Sequence, residues 1–115
     1  MIELKVFDNS DYESRLAYNQ ELMAMVAEEF IKEAGVLLEA LETHLTNVDM
    51  ANFALVAHRL KGAGLEVSGY RFCRLINQME EQAINGESDQ LSSSYVALRE
   101  EFEALVLALK QEILS

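Results

Sequence analysis

The feature that most limits what this chain can become is a helical hydrophobic rhythm, broken only briefly and never by proline. Over about Gln20 to Leu45, Met50 to Val67, Tyr70 to Ile84 and Ser88 to Ile113, apolar residues recur three and four positions apart. That spacing gathers them on one face of a 3.6-residue helix. There is no proline among the 115 residues and only five are glycine, so little interrupts these runs.

The stripe of the first run is Leu22, Val26, Phe30, Leu37, Leu41 and Leu45. Gly35 lies inside it, where glycine costs about 1 kcal/mol relative to alanine, so a close helix contact or a slight bend is expected there. The second run carries Phe53, Val56, Ala57, Leu60, Gly64 and Val67. The third carries Phe72, Leu75, Ile76, Met79 and Ala83. The fourth, from Leu91 through Tyr95, Leu98, Phe102, Leu105 and Leu109 to Ile113, has the seam of a coiled coil. Asn19 and Asp49 read as N-caps, Ser88 or Asp89 as another. Ser68-Gly69 and Asn85-Gly86 are the breaks between runs. Ahead of these, residues 1–8 form an extended lead-in. A short helix follows over about Asp11 to Tyr18, with a capping box of Ser10 and Glu13 and with Tyr12 and Leu16 turned inward. Short loops make successive helices antiparallel neighbours. The expected fold is therefore all-α: an antiparallel up-down four-helix bundle with a short extra N-terminal helix, as one domain over 1–115.

Charge narrows the partners. Nine basic and 20 acidic residues give a net charge of -11, which disfavours nucleic acid and anionic membrane. No apolar run is long enough to insert into a membrane. Yet Arg59, Lys61, Arg71 and Arg74 fall close together with only Glu66 among them, as a docking surface for an acidic partner would require. The single cysteine, Cys73, has no partner for an internal disulfide and fits a reducing, cytoplasmic setting. It reads as a packing residue.

Within the second run His58, Lys61 and Gly62 stand at i, i+3 and i+4, neighbours on one helix surface. Measured from the centre of the apolar stripe, His58 lies roughly 140° round the helix, Lys61 roughly 80° and Gly62 roughly 180°. His58 is thus expected to face away from the core. Its neighbours on that face are Ala51, Ala54, Leu55, Gly62 and Leu65, small or apolar where a solvated face would be charged, and such patches mark interaction sites. A mid-helix glycine is costly, and Gly62 would leave open space one turn from the imidazole. Lys61 supplies a flexible cation suited to phosphate oxygens. An ordinary imidazole titrates near pH 6.5 and can act as a nucleophile when neutral. The matching chemistry is phosphoryl acceptance, in which positioning and a little positive charge are the protein's share.

At these residues the chain resembles the histidine-containing phosphotransfer (HPt) domain of bacterial phosphorelays. His58, Leu60, Lys61, Gly62, Ala63 and Gly64 follow the pattern His-x-Leu-Lys-Gly and two small residues. Phe72, Leu75 and Met79 fit the later apolar positions, and Val6-Phe7-Asp8 and Asn19-Gln20-Glu21-Leu22 fit the opening. The glycine that closes the third helix in such domains is displaced, with Ser68 in its place and Gly69 after it. The resemblance implies that His58 takes a phosphoryl group on Nε2 from a receiver domain's aspartyl phosphate and passes it to another receiver. It implies that Lys61 assists, that Gly62 keeps the approach open, and that Glu80 or Gln78 on the next helix orients the ring. Ala54, Leu55, Arg59, Leu65, Arg71 and Arg74 would form the docking surface. No cofactor is expected on this chain; Mg²⁺ would sit in the receiver's acidic pocket. The expected partners are response-regulator receiver domains and a hybrid sensor histidine kinase, met by a monomer without kinase activity of its own. The opening residues point to an excised or terminal domain.

A kinase dimerisation domain also presents a histidine on helices, but it places an acid after the histidine and a proline soon after. Here Arg59 follows, and proline is lacking. A metal bundle needs Glu-x-x-His pairs, whereas Leu41 and Leu55 precede His44 and His58 by three. The alternative that uses the same patch is a helical adaptor without phosphotransfer chemistry.

Overall fold

The computed structural model describes residues 3–115; Met1 and Ile2 of the expected lead-in lie outside the described residues. Five helices follow in order: α1 (Asn9–Arg15), α2 (Gln20–Thr46), α3 (Met50–Glu66), α4 (Tyr70–Ile84) and α5 (Ser88–Glu112). Helices α2 to α5 form an up-down four-helix bundle. Each packs against the helices before and after it, and α5 closes back on α2. No strand occurs among the described residues.

At the centre of the bundle Phe30 of α2, Phe72 of α4 and Phe102 of α5 meet with ring centroids 5.9 to 6.1 Å apart. Leu38, Leu41, Phe53, Leu60, Ile76, Leu98 and Leu105 are wholly buried around them, each such side chain contributing about 1.5–3 kcal/mol of transfer free energy. Two buried phenols are satisfied by backbone, as burial of a hydroxyl demands. Tyr95 donates to Leu38 O at 2.9 Å and Tyr12 donates to Met23 O at 2.6 Å. Burial pushes the Tyr12 phenol up to about 12.

Helix lengths explain the N-terminal cover. α2 has 27 residues and α5 has 25, against 17 in α3 and 15 in α4. The first turns of α2 and the last of α5 therefore run past the α3–α4 end. Residues 3–8 and α1 occupy that end: Phe7 is buried edge-on to Tyr12, Asp8 N donates to Ser68 O at 3.1 Å, and Asn9 reaches Glu112.

The rotation of α2 corrects its expected stripe. Leu22 was expected inside, but it is 39 % exposed, and the buried face is Met23, Ala27, Phe30, Ala34, Leu37, Leu38 and Leu41. Leu22 stands one residue, about 100°, round α2 from the buried Met23, which turns it off the packed side of the helix. Gly35 makes no close contact, because a Cβ there would meet nothing within 4 Å. Gly35→Ala is accordingly expected to stabilise the fold by about 0.5–1 kcal/mol, read as a higher midpoint in urea at unchanged slope.

The caps also differ. The N-cap of α1 is Asp8, whose carboxylate accepts from Asp11 N, instead of the Ser10–Glu13 box. This helix stops at Arg15, well before Tyr18, because Ala17 and Tyr18 both take positive φ as the chain turns into α2. α5 begins after Glu87 with no side-chain cap, so neither Ser88 nor Asp89 caps it. Asn19 and Asp49 do cap α2 and α3, accepting from Leu22 N and Asn52 N.

The displaced glycine after α3 has a physical account. Ser68 takes the left-handed backbone, with φ 56°, a conformation costing roughly 1 kcal/mol or more outside glycine. Gly69 serves space instead: a Cβ there would lie 2.6 Å from Leu105 Cδ2. Ser68 is held by its hydroxyl, which donates to Asp11 Oδ2 at 2.7 Å. The same oxygen accepts from Tyr70 OH and from Arg15 Nε. Arg15 in turn donates to Leu65 O and Glu66 O at the C-terminal end of α3. The hydrogen bonds from Tyr70 and Ser68, with a smaller share from Arg15, hold the Asp11 carboxyl below its ordinary 3.8. A carboxyl depressed on folding lends stability that is complete above its unfolded value and lost as pH falls through the folded one. Asp11→Asn should therefore lower stability at pH 7 and flatten its dependence on pH below about 4, as measured by urea unfolding across that range.

Candidate functional site

Helix α3 carries the candidate site because its buried residues fix its rotation. Phe53, Ala57, Leu60, Ala63, Gly64 and Val67 are buried, so the positions between them face out. The His58 side chain is 71 % exposed. Its neighbours confirm the character of that face: Leu55 is 64 % exposed, Leu65 is exposed and Ala54 half-buried. A Cβ on Gly62 would meet nothing within 4 Å. Nothing inside the fold accounts for a glycine at that position.

The α4 side of the site is polar. Glu80 Oε1 lies 3.2 Å from Lys61 Nζ and 3.7 Å from His58 Nδ1, with the Glu80 side chain 16 % exposed. Lys61 Nζ also donates to Asn77 Oδ1 at 3.3 Å. The ring thus turns Nδ1 toward Glu80 and leaves Nε2 toward solvent. Asn77 and Glu80, three residues apart, form one edge of α4, and Ile84, one turn further along that edge, is 72 % exposed. Neither Asn77 nor Ile84 was singled out from the sequence. The i−3 and i+4 spacing from Glu80 was the signal that could have found them.

Other expected members fall elsewhere. Gln78 stands roughly 160° round α4 from Glu80 and is exposed, so it does not reach the His58 ring. The four basic residues do not form one surface. Arg71 turns to α5 and pairs with Glu101 Oε2 at 3.1 Å. Arg74, exposed, lines the same shallow α4–α5 groove with Arg71, Leu75, Ala97 and Glu100. Exposed Arg59 lies one residue, about 100°, further round α3 from His58. Lys61 alone of the four stands beside the imidazole. The cause is the helical period: closeness in sequence across the α3–α4 turn does not place side chains on a common face.

Cys73 packs its sulfur against α3, with Sγ 3.5 Å from Lys61 O. Burial pushes the thiol up to about 11, which keeps it protonated and unreactive. Among the described residues, no three His, Cys, Asp or Glu side chains are grouped to hold a metal ion. Nor is any helix there long and apolar enough to cross a membrane.

The arrangement is that of a helical bundle displaying one accessible imidazole, with a cation and a carboxylate beside it. Residues 25–112 match the family model of the Hpt domain. The chain belongs to the Hpt domain family, the phosphocarriers of histidine-containing phosphotransfer in two-component phosphorelays. No curated protein and no solved structure matches the chain.

Proposed function

We propose that His58 is the phosphorylated residue, taking a phosphoryl group from a receiver domain's aspartyl phosphate and handing it to a second receiver. The observation that carries this reading is the exposed ring of His58, Nε2 outward, beside the open space of Gly62. Nε2 attacks phosphorus in line as the bond to the aspartyl oxygen breaks, and the carboxylate leaves. Lys61 assists by offsetting charge on the phosphoryl oxygens. Leu55, Leu65 and Ala54 supply the apolar docking area around the ring, with Arg59 toward its margin as a steering charge. Mg²⁺ sits in the acidic pocket of the receiver, so this chain needs no metal of its own. A hybrid sensor histidine kinase is the source of the phosphoryl group. The chain acts in the cytoplasm as a monomer, without kinase activity of its own.

The test is incubation of the purified protein with a phosphorylated receiver and Mg²⁺. Wild type should acquire a base-stable, acid-labile phosphate and His58→Gln should acquire none. A wild type that gains no such phosphate would leave the non-chemical adaptor as the reading of the patch.

A further inference from the structure

We propose that the groove between α2 and α5, on the side of the bundle away from His58, is a docking site for an amphipathic helix of a partner protein. That helix is apolar along one face and basic at one end. The inference does not depend on phosphorylation of His58.

Of the four sides of the bundle, the α2–α5 side is the least closely packed. Two shallow hollows lie end to end along it. One, of about 430 Å³, is lined by Glu39 and Glu42 of α2 and by Tyr95, Val96, Arg99 and Glu103 of α5. The other, of about 260 Å³, continues from Glu103 past Phe102, Val106 and Leu107 to Lys110. From Tyr95 to Lys110 the groove runs about 22 Å at 1.5 Å per residue, the length of a helix of about 15 residues. Its apolar surface suits the same occupant. Val96 and Leu107 are exposed, and Phe102 and Val106 are half-buried. They offer seats along the groove for side chains recurring three and four apart on a partner helix.

Gly35 allows such a helix to come close. It shares a face of α2 with Glu39 and Glu42, at i, i+4 and i+7. The hydrogen bond of Tyr95 to Leu38 and the contact of the Phe30 and Phe102 rings bracket its level, beside the first hollow. A Cβ on Gly35 would meet nothing within 4 Å. A mid-helix glycine lowers stability, and no contact inside the fold offsets that loss. Bare backbone at this point lets a partner helix pack at the near end of the usual interaxial range of about 8–10 Å.

The lips of the groove set the partner's charge. Glu39, Glu42, Glu100 and Glu103 surround the first hollow against one arginine, Arg99, and all four glutamates are exposed. None of these five groups is in an ion pair among the described residues. At the far end Lys110 is exposed beside Leu107. A helix with lysine or arginine over the glutamates and an acid over Lys110 meets complementary charge along its length, which steers association and fixes its direction. His58 stands across the bundle, on the α3–α4 side beside Glu80. A helix seated between α2 and α5 therefore leaves the imidazole open to a second partner.

The test titrates the full chain with a synthetic helical peptide of about 15 residues. It carries leucines three and four apart, lysines along one half and a glutamate in the last turn of the other. In ¹H–¹⁵N spectra the amides of Gly35, Val96 and Leu107 should shift, and those of His58 and Gly62 should not. A peptide of the same composition with its leucines scrambled should bind about tenfold more weakly or worse. Gly35→Gln should weaken binding of the first peptide by about tenfold with no fall in its urea midpoint. Leu107→Glu, and Glu39→Lys combined with Glu42→Lys, should weaken it as well. Equal affinity for the scrambled peptide, shifts centred on the His58 face, or a Gly35→Gln protein that binds as tightly as the wild type would overturn the proposal. So would shifts of the same amides with protein concentration alone, which would assign the groove to a second copy of this chain.

Discussion

Gly62→Gln is expected to fold as well as the wild type and to accept phosphoryl groups about 100-fold more slowly. Nothing lies within 4 Å of where the new Cβ would stand, so the added side chain meets no packing resistance. Glutamine is also the better helix former, and the exchange should leave stability unchanged or raise it by about 0.5 kcal/mol. The cost falls on the approach to His58. Gly62 is one turn from the ring on the exposed face of α3, where a receiver's aspartyl phosphate must come within reach of Nε2. In-line transfer needs reacting atoms about 3–3.5 Å apart, and an offset of about 1 Å can cost a hundredfold. Gly62→Ala, which adds only the methyl, should raise stability by about 1 kcal/mol with a smaller loss in rate. Urea unfolding with single-turnover transfer from a phosphorylated receiver separates the two effects. A Gly62→Gln protein with wild-type rates would remove Gly62 from the account.

The four long helices were legible because their apolar faces are continuous and the breaks between them are short. The outward direction of His58 was legible for the same reason: five buried positions of α3 fix its phase, and one residue read relative to five is well determined. Phase was less secure in α2. There the true face runs through Met23, Ala27 and Ala34, small or flexible residues that mark a core weakly, while Leu22 stands out in the sequence and is exposed in the fold. Its exposure follows from how α2 is rotated against its neighbours, a relation between helices that the periodicity of one helix does not contain. α1 shows a similar limit. It stops where Ala17 and Tyr18 take left-handed backbone without glycine or asparagine to mark the turn. The site divides in the same way. His58, Lys61 and Gly62 lie on one helix and share a spacing. The place of Asn77 beside Lys61, and of Arg71 on Glu101 instead of near His58, depends on how α4 is rotated against α3 and α5.

That rotation and spacing depend on Gly64, and Gly64→Val is expected to be the most destabilising change near the site. A Cβ at Gly64 would stand 2.8 Å from Cys73 Sγ and 2.9 Å from Phe72 Cδ2, both closer than carbon and sulfur contacts allow. Cys73 Sγ can rotate. Phe72 cannot easily yield, because its ring is wedged between Phe30 and Phe102 with centroids 5.9 and 6.1 Å away. Valine adds two methyls beyond the Cβ and is a poor helix former in place. Overpacking of this kind costs about 1–3 kcal/mol, and the upper end is expected here. At roughly 4 °C per kcal/mol for a domain of this size, the melting temperature should fall by about 10 °C. The alternative to a distorted Phe72 is for α3 to move away from α4. That would stretch Lys61 from Asn77 and Glu80, the contacts that bridge the two helices beside His58. Cys73→Ala should relieve part of the strain, so that the Gly64→Ala and Cys73→Ala effects on stability are not additive, with a coupling of at least about 0.5 kcal/mol. Additive effects, or a Gly64→Val protein as stable as the wild type, would show that α3 and α4 can separate freely and that Gly64 does not set their distance.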